Sequence, residues 1–79
     1  MKKILEEIKE IISKELEIDL KNITDDSNLI DDLGADNLDI IELIMDMEDY
    51  FGITVLDEDI EDLITVNDIY KIVKKYLKK

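Results

Sequence analysis

Two rows of apolar residues run along one stretch, and they restrict the chain more than any other feature. Ile40, Ile44, Met47 and Phe51 recur at helical spacing with Leu43 beside them. At about 100° per residue they fall on one face of an α-helix. Leu38, Ile41 and Met45 form a second row, rotated by roughly a third of a turn. Asp39, Glu42, Asp46 and Asp49 fill the remaining arc, and Glu48 interrupts the end of the second row. A surface helix needs one apolar stripe. The second therefore has two readings. Either this is a central bundle helix covered on two sides, or the row, rimmed by acids, meets a partner.

The ends of this helix are marked. Gly34-Ala35 leads to Asp36 and Asn37, both able to cap the free N–H groups of a first turn. Asp39 sits three residues past Asp36, a capping-box spacing with Asp in place of Glu. The helix runs to about Phe51, and Gly52 follows as a residue that turns left-handed without a Cβ penalty.

Charge is distributed unevenly. All 10 lysines lie in residues 2–21 or 71–79, and 16 of the 22 acids lie in the lysine-free window 22–70. Phosphate neutralisation by Lys and Arg underlies nucleic-acid binding, so that class is disfavoured. The central surface attracts basic partners instead.

The rest of the chain reads as more helix. Residues 2–16 carry Ile4, Leu5, Ile8, Ile11, Ile12 and Leu16 on one broad face. Residues 17–35 are polar and loop-like, with Ile18, Leu20, Ile23, Leu29, Ile30 and Leu33 as anchors and a helical turn expected near Asn28–Asp32. Ile53-Thr54-Val55-Leu56 is a short β-prone linker. Residues 57–63 fit one or two helical turns, acidic where the helix dipole favours it. Thr65-Val66-Asn67-Asp68 resembles a capping box that opens a last helix through about Leu77. Its inner face is Val66, Ile69, Ile72, Val73, Tyr76 and Leu77, and five lysines occupy its C-terminal end. The expected fold is all-α, a small four-helix bundle of three longer helices and one short one, with a long first loop, in a single domain over 1–79.

Several chemistries are absent from the sequence. There is no cysteine for a disulfide or thiol chemistry, and no histidine to serve as a base near neutral pH. No apolar run approaches the roughly 20 residues of a membrane span. Glutamates at 6 and 7 break any signal-peptide core, so a cytoplasmic protein is expected. An EF-hand loop needs Gly at its sixth position. Counted from Asp25 the sixth residue is Ile30, and counted from Asp31 the third is Leu33, so neither register works. Ser13 and Ser27 have no histidine partner for a triad, and no phosphate-binding glycine pattern occurs. No enzyme, and no specific metal site, is expected.

At Leu33-Gly34-Ala35-Asp36-Asn37-Leu38-Asp39 the chain resembles the acyl carrier protein family, whose pattern is a Gly-x-Asp-Ser-Leu turn opening the second helix. Gly34, Asp36 and Leu38 match, as does Glu42-Leu43-Ile44-Met45, and the resemblance covers essentially the whole chain. It implies a four-helix bundle that carries acyl thioesters on a 4′-phosphopantetheine arm. The arm is attached to the motif serine by a phosphopantetheinyl transferase. The implied partners are that transferase and enzymes of fatty-acid synthesis with basic docking patches. Leu38, Ile41 and Met45 then become the docking row, with Asp39, Glu42 and Glu48 as its charged rim. Asp36 and Leu38 flank the attachment position. Asn37 stands where the family has serine, and a carboxamide is no substitute for a hydroxyl nucleophile. The arm is therefore not expected on this chain, which the resemblance implies is fixed in the apo form. A monomer is expected. Two other readings stay open: an interaction scaffold that keeps the acidic docking helix, and a D-alanyl, polyketide or peptidyl carrier relative. A third, an acidic cation-binding bundle, is disfavoured by the ligand spacing.

Overall fold

The apolar periodicities become four α-helices in the computed structural model, which describes residues 3–77. They are α1 (Ile4–Leu16), α2 (Asn37–Phe51), α3 (Asp57–Ile60) and α4 (Val66–Leu77). A 3₁₀ turn at Leu20–Asn22, not anticipated from the sequence, follows α1. The expected start of α1 at Lys2, and Lys78 and Lys79 at the end of α4, lie outside the described residues. α3 is shorter than expected and stops at Ile60.

The core is aliphatic and drawn from every side. α1 contributes Ile8 and Ile12, α2 contributes Ile40, Leu43, Ile44 and Met47, and α4 contributes Val66, Ile69 and Val73. Each fully buried side chain of this size stabilises the fold by about 1.5–3 kcal/mol relative to exposure. The long first loop adds Ile23, Leu29, Leu33 and Ala35. Two of its expected anchors do not serve as such: Leu20 and Ile30 are exposed.

Polar bonds hold the first loop alongside its anchors. The Asn28 side-chain oxygen accepts from the N–H groups of Ile30 and Asp31 at 3.0 and 2.9 Å. The Asp32 carboxylate accepts from Asn28 N–H at 2.7 Å, which closes the expected turn from the other side. Lys9 on α1 reaches Asp25 at 2.7 Å. The loop also pairs with the segment before α4. Leu29 N–H donates to Ile64 O at 2.9 Å, and Val66 N–H donates to Ser27 O at 3.1 Å. This makes an isolated antiparallel bridge between Asn28 and Thr65.

Local chemistry fixes the helix ends. Gly52 adopts φ 68°, and its N–H donates to Glu48 O, which closes α2 as a left-handed cap. α4 opens on the expected box. Asp68 N–H donates to Thr65 Oγ1 at 3.2 Å, while Thr65 N–H donates to the Asp68 carboxylate at 3.0 Å. Ile64 N–H donates to the same oxygen at 2.9 Å. Burial works against the Asp68 charge, but the N–H groups of Thr65 and Ile64, the Thr65 hydroxyl and the Lys71 charge outweigh it and hold the carboxyl below its ordinary range.

Candidate functional site at the start of α2

The first loop delivers the chain to α2 through a turn at Gly34, whose φ of 75° suits a residue without Cβ. Ala35 is buried, and its N–H donates to Leu29 O at 2.9 Å. The chain then enters the helix at Asp36. Of the two capping candidates, Asp36 is the N-cap and Asn37 is the first helical residue. Asn37 therefore does not keep the helix start, because its neighbour already does. Its exposed side chain stands on the first turn, where free N–H groups and the positive end of the dipole gather.

The two apolar rows of α2 have opposite fates. Ile40, Leu43, Ile44 and Met47 are buried, and Phe51 is half-buried. Leu38, Ile41 and Met45 remain 63%, 48% and 56% exposed. The second row is thus not covered by the bundle, which removes the reading of α2 as a helix buried on two sides.

The three rim acids differ among themselves. Glu42 is exposed. Asp39 is half-buried and accepts from Asp36 N–H at 3.1 Å. Glu48 is half-buried and accepts from Val55 N–H at 2.8 Å, which ties the linker after Gly52 back onto α2. Both therefore have a structural duty besides any role on the rim. Sequence spacing placed all three beside the row but could not separate them, since the bond to Val55 depends on the reversal at Gly52.

Acids also crowd the C-terminal half of α2, where the helix dipole opposes them and the last turn of the helix holds no basic residue of its own. Asp46 and Glu42 face Glu15 of α1. The contact with Asp46, reinforced by burial and by Glu42, pushes the Glu15 carboxyl up to about 7. Glu15 and Asp46, with Ile11, Lys14, Asp49 and Tyr50, line a cleft of about 440 Å³ between α1 and α2. Glu15 is a feature the sequence reading missed. Only the packing of α1 on α2 brings it to Asp46.

A second groove, of about 340 Å³, opens beside Asn37. Ile30, Ile40, Ile41, Ile60, Glu61 and Leu63 complete its lining. The first helical residue, the exposed row and an apolar recess thus meet at one end of α2. Among the described residues no group of three or more acids is arranged to hold a metal ion. No helix there is long and apolar enough to cross a membrane.

Comparison with known proteins gives a consistent picture. The family described as "Phosphopantetheine attachment site" matches residues 6–73. An acyl carrier protein of Thermotoga maritima is 46% identical over 74 residues, covering 94% of this chain and 91% of that one. One of Karelsulcia muelleri is 48% identical over 77 residues, covering 98% and 93%. The crystal structure of an acyl carrier protein from Thermotoga maritima superimposes with a TM-score of 0.81 at 29% identity, over 99% of this chain and 96% of that one.

Proposed function

The chain belongs to the acyl carrier protein family, and from that premise we propose that it is a carrier-type protein of fatty-acid biosynthesis fixed in the unmodified form by Asn37. Members of the family are carriers and not enzymes, and they carry 4′-phosphopantetheine. The residues at the start of α2 do not fit covalent attachment of that group. Attachment needs a hydroxyl on the exposed first turn. Asp36, Asn37 and Leu38 supply a carboxylate, a carboxamide and an alkyl group. An amide nitrogen, its lone pair delocalised into the carbonyl, is a poor nucleophile.

One observation carries the proposal. Asn37 occupies the exposed first helical position, and the cap is made entirely by Asp36 and Asp39. The side-chain bonds of the helix start come from Asp36 and Asp39, and the exposed row of Leu38, Ile41 and Met45 with the exposed Glu42 follows on the same helix. The site therefore keeps the form of a docking face while lacking the one atom that attachment requires. The same observation favours the scaffold reading as second, because a face intact without an arm can still recruit partners. Phosphopantetheinyl transferase and the enzymes of fatty-acid synthesis, each bearing a basic patch, are the proposed partners of a cytoplasmic monomer.

Docking is tested by titrating the chain into a β-ketoacyl condensing enzyme and following the complex by calorimetry. Glu42→Lys and Met45→Glu should each weaken it about tenfold or more. Unaltered affinity in both variants would remove the row from the interface.

A further inference from the structure

α3 is a helix of four residues, and its N-cap, Leu56, offers no side-chain oxygen to the free N–H groups of the first turn. So short a helix has no stability of its own. Its support comes from α4. The Tyr76 hydroxyl donates to the Asp59 carboxylate and accepts from Leu56 N–H at 3.3 Å. Lys75 Nζ lies 3.4 and 3.3 Å from the two Asp59 oxygens, and 5.3 Å from the centre of the Tyr76 ring. Tyr76 thus holds α3 at two points, the cap and the third residue. The titration of both partners reflects that contact. The Tyr76 bond draws Asp59 below its ordinary range, and the Asp59 bond raises the Tyr76 phenol.

The residues that follow Asp59 face the other way. Ile60 and Glu61 line the groove beside Asn37, opposite Ile41 of α2. α3 therefore stands between α4 and the groove, with Ile60 packed against the core and Asp59 turned to α4. We propose that Tyr76 and Asp59 form a latch that holds α3 against α4 and so sets the width of the groove beside Asn37. Both are positioning residues, acting on the groove through Ile60 and Glu61. The latch belongs to the unmodified chain, so it stands or falls independently of whether residue 37 bears an arm.

The test is backbone amide exchange on the full chain and on Tyr76→Phe, which removes one oxygen and keeps the ring. Asp59, Glu61 and Leu63 report on α3, since their N–H groups donate to Leu56 O, Asp57 O and Ile60 O at 3.0, 3.2 and 3.2 Å. Their exchange should quicken about tenfold or more while Ile8, Ile12 and Leu43 stay unchanged. Asp59→Ala, which removes the acceptor, should reproduce the pattern from the other side of the bond. Nile red, a neutral apolar dye, should bind the Tyr76→Phe chain at least about twofold more tightly as the groove loosens. Unchanged exchange in α3, or an equal rise across all helices, would overturn the latch. Faster α3 exchange with unchanged dye binding would overturn its control of the groove.

Discussion

Asp36 and Asp39 cap one another across the first turn of α2. Asp39 N–H donates to Asp36 Oδ1 at 2.8 Å, and Asp36 N–H donates to Asp39 Oδ2 at 3.1 Å. Two free donors are satisfied by two carboxylates with no contribution from Asn37, the residue between the cap and Leu38.

This relationship places the stability of the helix start at Asp36, one residue before the proposed attachment position. Asp36→Ala should cost about 1 kcal/mol, a fall in Tm of roughly 4–8 °C for a domain of this size. Asn37→Ser should stay within about 0.5 kcal/mol of the parent. Thermal unfolding of the two variants side by side checks this. A loss at Asn37→Ser as large as that at Asp36→Ala would mean that residue 37 takes part in the cap.

Glu15 gives the chain a pH response in the physiological range. Asp46, then burial, then Glu42 raise its carboxyl from 4.5 to about 7 in the folded state. The folded state therefore binds this proton more tightly than the unfolded chain does. The stabilisation is complete below about 4.5 and is lost as pH rises through about 7. Glu42, Asp46 and Asp49 on α2 face this position, with Lys14 of α1 on the same cleft. Melting curves from about pH 5 to pH 8 should show the parent equal to Glu15→Gln at the acid end and less stable at the alkaline end. Parallel pH profiles for the two chains would contradict the contact between Glu15 and Asp46.

The helices were legible because their burial is periodic. Ile8 with Ile12, Leu43 with Met47, and Ile69 with Val73 can be paired from spacing alone, and each pair is buried. Thr65 with Asp68 was also readable, since a capping box is a local pattern. Leu38, Ile41 and Met45 show where periodicity stops. It identified a second row but could not decide whether protein or solvent covers it. Asp36 and Asn37 were equivalent as cap candidates, because both residue types can accept from the N–H groups of a first turn. The bridge between Asn28 and Thr65 and the bond from Val55 to Glu48 were hidden for a different reason. They join residues whose meeting depends on how the loops cross the bundle. The 3₁₀ turn at Leu20–Asn22 carried no signal, since no glycine or proline marks it.

The lysine-free window from 22 to 70 predicts a response to salt. Like charges on α2 and around α3 repel one another, and the repulsion weakens as the Debye length falls from about 30 Å at 0.01 M to about 8 Å at 0.15 M. Tm should rise across that range, and magnesium should raise it further at equal ionic strength by pairing with adjacent carboxylates. Scanning calorimetry in sodium and magnesium chloride reads both effects. A midpoint indifferent to each would mean that the acidic face costs the fold nothing.

One missing atom, the hydroxyl that serine would supply at position 37, decides the proposed function. It is tested most directly by intact mass after incubation with coenzyme A and a broad-specificity phosphopantetheinyl transferase. This chain and Asn37→Ser are treated in parallel. The serine variant should gain the 4′-phosphopantetheine arm, and the chain with Asn37 should not. An arm found on the chain with Asn37 would contradict the proposed function.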